Sequence, residues 1–143
     1  MGKLITYGSL LTYLVYTAFR DWKTKQVSVG IAKAALGCGV LFWLLFHPIG
    51  FVEWIFGILP GLGMLFLGAI SHESIGYGDG IVACVCGTFL GFWGCMQVLV
   101  TGLFLSGPIS LFLIASGRAG RKTRIAFVPF LLLGYLAWLV MKV

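Results

Sequence analysis

GIVACVCGTFLGFWGCMQVLVTGLFLSGPISLFLIAS, residues 80–116, is the stretch that decides how this chain folds. It carries no charged residue, and as one continuous helix it would extend about 55 Å at 1.5 Å per residue. The hydrocarbon core of a bilayer is only about 30 Å thick. The segment GFWG at 91–94 is the natural place for a break, which would divide the stretch into two helices.

The composition indicates that the chain lies in a membrane. Of its 143 residues, 60% are hydrophobic and 10% are charged, whereas ordinary globular domains carry about 25% charged residues. A soluble domain of this size could not bury so much apolar surface. We therefore predict an all-α, polytopic membrane protein that forms a single domain over residues 1–143. The other apolar runs are Leu4–Phe19, Val27–Phe46, Phe51–Ile70 and Ile125–Val140.

The distribution of positive charge predicts the number of membrane spans. The net charge is +6, and most of the cations fall in two clusters, RDWKTK (20–25) and GRAGRKTR (117–124). Short basic clusters between apolar runs are typical of cytoplasmic loops, so we expect the lipid bilayer as a partner and no nucleic acid. Both loops lie on one side only if residues 80–116 cross twice. We therefore expect about six spans in the cytoplasmic membrane, with both termini outside.

Two details of these spans follow from local sequence. The fourth span, about Gly80–Leu90, would be only about 16 Å long, so it must be extended at its ends, tilted, or surrounded by thinned bilayer. Pro60 and Pro108 are expected to kink the third and fifth spans, because proline removes a helical hydrogen bond.

Two of the four acidic residues are the candidates for chemistry. Asp21 and Asp79 both fall at cytoplasmic span ends in this topology, and an ionisable group at membrane depth is a functional-site hypothesis by default. Two opposed carboxylates that share one proton are the machinery of aspartic proteases. Asp79 lies in the glycine-rich stretch HESIGYGDG (72–80), where Gly76 and Gly78 leave the backbone accessible to an extended substrate.

Simpler roles remain open for the same residues. Asp21 could be a solvated loop charge that pairs with Arg20 or Lys23, and Asp79 could be a helix N-cap. Glu73 either contacts the basic leader of a substrate or pairs with a loop cation. At the level of the whole protein, the alternative to a peptidase is a membrane transporter or an assembly scaffold that uses buried carboxylates.

The cysteines do not suggest a metal site. Cys84 and Cys86 are two positions apart, so on a helix they point to nearly opposite faces, and the chain has no CxxC pair. We expect no metal and no cofactor.

Three stretches together resemble the prepilin peptidases, which belong to the GxGD intramembrane aspartic peptidases. FRDWKTKQVS (19–28) is similar to the family's loop with the first catalytic aspartate, and ESIGYGDGIVACVCGTFLG (73–91) is similar to its GxGD stretch with the second. RIAFVPFLLLG (124–134) is similar to its closing motif. Asp79 is followed by Gly80, where the family usually has valine.

The resemblance implies a GxGD peptidase fold and an endopeptidase that removes the short basic leader of type IV pilin-like precursors. It implies that Asp21 and Asp79 are catalytic and that cleavage occurs at the cytoplasmic boundary of the membrane. Longer members carry an insertion with two CxxC pairs that is associated with N-methylation of the product. This chain lacks that insertion, so it resembles a short, peptidase-only form such as those of Tad/Flp-type pili.

Overall fold

The computed structural model describes residues 1–24, 29–47, 49–70, 77–118 and 127–142. These residues form six α-helices and no strand, so the all-α prediction is confirmed for this part of the chain. The helices are α1 (Gly2–Thr24), α2 (Val29–Phe46), α3 (Phe51–Gly57), α4 (Leu59–Ile70), α5 (Tyr77–Ala115) and α6 (Val128–Lys142).

Much of the apolar surface of the helices faces outward, as expected for a protein that is solvated by lipid. α2 buries only Ala32 and Gly39, while its Leu41 and Leu45 are more than half exposed. Among the described residues, three segments are long and apolar enough to cross a membrane, and α6 is a shorter apolar helix. The three segments are Val29–Phe46, Phe51–Ile70 and Gly78–Ala115. The chain is therefore a multi-pass membrane protein.

The predicted break in the longest apolar run is present at Gly91. This residue has φ 77° and ψ −176°, which are not helical values, so α5 consists of two helical halves, residues 77–90 and 92–115. Glycine adopts a positive φ without a steric penalty. The Cys95 thiol of the second half donates a hydrogen bond to the Ala83 carbonyl of the first half at 3.4 Å. This contact shows that the second half folds back along the first. The first half begins at Tyr77, three residues before the predicted start, and this lengthens the short fourth segment.

A second interruption separates α3 from α4 next to Pro60. The helix ends at Gly57 and resumes at Leu59, and the Ile58 N–H bonds to the Ile55 carbonyl at 3.3 Å, one residue closer than in an α-helix. Proline at position 60 has no N–H and its ring crowds the preceding turn. The interruption lies where the sequence predicts a kink, and the bend itself stays a prediction. Pro108 lies inside α5, and a kink there stays a prediction.

Glycines allow α3 and α4 to touch the first half of α5 backbone to backbone. A Cβ atom at Gly87 would collide with the Gly57 carbonyl oxygen, and one at Gly61 would collide with the Cys84 backbone. In lipid, where the hydrophobic effect does not drive helices together, such close approach through small residues supplies the van der Waals contact that holds them. This packing fixes the start of α5 against α4, where a Cβ at Gly80 would lie 3.0 Å from the Leu65 nitrogen.

Contacts between α1 and α6 define the two ends of the bundle. At one end, which we call the Asp21 end, Val128 at the start of α6 contacts Asp21 near the end of α1. At the other, the Tyr135 hydroxyl donates to the Tyr7 carbonyl at 2.9 Å, and the Tyr7 and Trp138 rings meet edge to face at 5.3 Å. The two helices are therefore antiparallel.

Gly91 lies at the end opposite Asp21. A Cβ at Gly94 would contact the Trp138 ring at 3.5 Å, which places the break in α5 beside Tyr7 and Trp138. We call this the Gly91 end. Counting α3 with α4 as one pass and α5 as two, the described part of the chain runs between the two ends six times.

The glycine contact between α4 and α5 yields a prediction for stability. Gly61→Ala should lower the free energy of unfolding by about 1–3 kcal/mol, because the added methyl group meets the α5 backbone and the helices must separate. Gly63→Ala is the matched control on the same helix, since a Cβ at Gly63 meets nothing within 4 Å, and it should be neutral or slightly stabilising. Thermal unfolding in detergent measures both. Equal behaviour of the two variants would contradict the proposed packing.

Candidate active site

Asp21 is a buried residue on the packing face of α1, with only 5% of its surface exposed. It continues the line of buried residues formed by Leu14, Thr17 and Ala18, which are three to seven positions earlier on the same helix. The helix extends through Thr24 rather than ending before Arg20. The prediction of a loop beginning at residue 20 is therefore wrong, and so is the alternative that Asp21 is a solvated loop charge. No glycine or proline interrupts the helix there, and the packing of α6 stabilises its last turns.

The carboxylate of Asp21 accepts a hydrogen bond from the first residue of α6. The Val128 N–H donates to Asp21 Oδ2 at 3.1 Å, and the contact is buried. The first N–H groups of a helix have no partner within the helix, so the start of α6 offers a donor where Asp21 needs one. Helix N-termini also carry partial positive charge, which stabilises an adjacent anion.

Asp79 lies in the first turn of α5, two residues after the helix begins at Tyr77. It is half-buried, as is Gly78 before it. Its position inside the helix differs from the N-cap role that the sequence left open. The positive end of the α5 dipole nevertheless favours a carboxylate here. Asp79 thus lies in the first turn of its own helix, and Asp21, near the end of α1, faces the first N–H of α6. Each helix N-terminus offsets part of the cost of holding a negative group near a membrane.

The fold places Asp79 at the same end of the bundle as Asp21. Asp79 is twelve positions before Gly91, a distance of about 18 Å along a helix, and Gly91 marks the opposite end. α1 and α5 also contact each other, and α6 contacts both. The arrangement predicted from the number of spans, with both aspartates at one end, is consistent with these contacts.

Three of the predicted site features lie outside the described residues. Glu73, Gly76 and the basic residues at 121–124 are in segments for which the structure gives no placement. Gly80 is described and buried, and its contact with Leu65 explains why a side chain as large as valine is not accommodated at that position without a shift of α4.

The described cations are unevenly distributed between the two ends. Arg20 and Lys23 belong to the last turns of α1, and Arg118 follows a C-terminal cap in which its N–H bonds to the Leu113 carbonyl at 3.2 Å. These three residues are at the Asp21 end, and Lys33 lies in the second turn of α2, close to it. Lys3 and Lys142 are at the Gly91 end. The excess at the Asp21 end is the pattern of a cytoplasmic side.

The remaining described acidic residue, Glu53, is remote from the aspartates. It lies in the first turn of α3 at the Gly91 end, and a Cβ at Gly91 would be 3.1 Å from its Oε1 atom. Together with Val52, Phe56 and Trp93 it lines an open, mainly apolar cavity of about 430 Å³. Glu53 and this cavity therefore lie away from the Asp21 end.

The Val128 N–H is a hydrogen-bond donor to Asp21 that the sequence did not predict. Pro129 in the stretch FVPF (127–130) did indicate a helix start there, because proline is common in the first turn of a helix. The contact joins residues 107 positions apart, and no local pattern predicts which helix start a carboxylate will meet.

Comparison with known families gives a match over most of the chain. Residues 8–111 match the model of the type IV leader peptidase family, and this range includes Asp21, Gly78 and Asp79. Comparison with curated proteins finds no match. Comparison with solved structures finds none either.

Proposed function

The chain belongs to the type IV leader peptidase family, and on that premise we propose that it removes the short basic leader of type IV pilin-like precursors, such as those of the Tad/Flp type, at the cytoplasmic boundary of the membrane. Family membership makes it an aspartic endopeptidase. The observation that most supports the assignment to Asp21 and Asp79 is that a buried and a half-buried carboxylate lie at one end of the bundle. Asp21 faces the start of α6, and Asp79 lies in the first turn of α5.

We propose six membrane crossings, with the Asp21 end on the cytoplasmic side and both termini outside. The six passes of the chain between its two ends and the excess of described cations at the Asp21 end support this topology. A thiol introduced at Thr24, in a variant without the native cysteines, should react with a membrane-impermeant reagent only after the cells are opened. Reaction in intact cells would contradict the orientation.

The dyad would hydrolyse a peptide bond without a cofactor. One carboxylate takes a proton from water as the water oxygen bonds to the scissile carbonyl carbon, and the protonated partner gives its proton to the carbonyl oxygen. In the second step the carbon–nitrogen bond breaks. The leaving nitrogen takes the first proton, and a hydroxyl of the intermediate returns a proton to the partner, so the dyad is restored. The roles of base and acid are not assigned to individual aspartates, because coupled carboxylates share their protons.

The glycines before Asp79 would present the substrate. Gly76 and Gly78 leave the backbone near the catalytic group without side chains, so an extended segment could lie along it and form main-chain hydrogen bonds. The family implies glycine before the cut, and glycine lowers helix propensity by about 1 kcal/mol relative to alanine. We propose that Glu73 contacts the cations of the leader and that the product carries no N-methyl group.

The dyad yields a prediction for activity. Asp21→Asn and Asp79→Asn should each abolish cleavage of a co-expressed pilin-like precursor, because the two carboxylates have different roles in each step and neither replaces the other. Mass spectrometry of the mature N-terminus measures the cut. Glu53→Gln is the matched control, since it neutralises a carboxylate at the opposite end and should leave cleavage intact. Near-normal turnover by either aspartate variant would show that the chemistry is not that of an aspartic dyad.

A further inference from the structure

We propose that the backbone N–H of Val128 is a positioning group for catalysis, and that α6 acts in the reaction through Asp21. The inference rests on the proposed function. It adds that Oδ2 of Asp21 is held by the first backbone N–H of α6.

The contact has the features of a fixed rather than an incidental hydrogen bond. Val128 is fully buried and Asp21 is 5% exposed, so water does not compete for either group. Unlike the donor of a long side chain, a backbone N–H has no rotamers through which to leave the carboxylate. A hydrogen bond from a buried amide to a charged group contributes more than one between neutral groups.

The start of α6 leaves the Val128 N–H available for this contact. The Leu131 N–H bonds to the Phe127 carbonyl at 3.1 Å, so Phe127 occupies the N-cap position and Val128 is the first residue of the helix. Pro129 follows and has no N–H. Asp21 therefore accepts its hydrogen bond from the first backbone N–H of α6, and the next residue, Pro129, has no N–H to offer.

The rest of α6 is packed so that the position of Val128 is fixed along the helix axis. A Cβ at Gly134 would lie 2.6 Å from the Val98 carbonyl oxygen, and the Tyr135 hydroxyl is bonded to the Tyr7 carbonyl. A slip of α6 by one residue would move the N–H by about 1.5 Å and rotate it by about 100°, which would break the bond to Asp21. The position of α6 along its axis therefore determines how the Asp21 carboxylate is oriented.

Aspartic chemistry depends on such orientation. Displacement of a catalytic group by about 1 Å can reduce a rate about 100-fold, because the reacting atoms leave their productive geometry. On this proposal the Val128 N–H orients the Asp21 carboxylate and does not contact the substrate. Loss of the Val128 N–H should therefore lower kcat and leave KM nearly unchanged.

Val128→Pro tests the proposal, with Val128→Ala as the matched control. Both variants remove the buried valine side chain, but only proline removes the N–H, and proline is well tolerated at the first position of a helix. We expect kcat for cleavage of a purified precursor by the full-length enzyme to fall about 10- to 100-fold in Val128→Pro relative to Val128→Ala. KM should differ by less than about threefold between them, because on this proposal the Val128 N–H does not contact the substrate.

An ester at position 128, introduced as the α-hydroxy acid analogue of valine, removes the N–H while keeping the side chain. It should reproduce the loss of kcat and provides the test if the proline variant fails to fold. Equal kcat values for Val128→Pro and Val128→Ala, or for the ester and the native enzyme, would overturn the proposal. A change confined to KM would also overturn it. Cleavage by the native enzyme but not by Asp21→Asn tests the proposed function separately.

Discussion

A carboxylate buried in an apolar bundle needs a hydrogen-bond donor, and the structure of this protein depends on how Asp21 meets that requirement. An unpaired buried charge costs several kcal/mol. The donor comes from the start of α6, 107 positions along the chain, so satisfying Asp21 also determines where α6 lies and how it is aligned with α1. The contact that stabilises the buried carboxylate is also the contact that we propose orients it for catalysis.

The second aspartate reaches the same end of the bundle through backbone packing rather than through a polar contact. Gly57 and Gly61 bring α3 and α4 against the first half of α5, and Gly91 turns the chain so that the second half returns. These contacts set the position of Asp79 at the start of α5. Small residues are the usual means of close helix packing in lipid, and here they leave no space for larger side chains between α3, α4 and the first half of α5.

Much of this organisation is predictable from the sequence because it follows from periodic or global properties. The apolar composition predicts membrane helices, and the length of residues 80–116 predicts the break that occurs at Gly91. The GxGD stretch and the basic clusters indicate the peptidase family. Local sequence patterns do not show which helices, distant along the chain, pack against each other. The extension of α1 to Thr24, the burial of Asp21 and its contact with Val128 arise from tertiary packing, which overrides the loop expected at RDWKTK.

We expect Asp21 and Asp79 to face each other at one end of the bundle, and cross-linking of cysteines at these two positions measures whether they do. Asp21→Cys and Asp79→Cys should be joined by a short bifunctional thiol reagent in a variant without the native cysteines. A pair at positions 7 and 138, whose rings are 5.3 Å apart, serves as the positive control, and a pair at positions 21 and 93 as the negative control. We predict that positions 21 and 79 are cross-linked and that positions 21 and 93 are not. Failure of the 21–79 pair to react while the 7–138 pair does would contradict it.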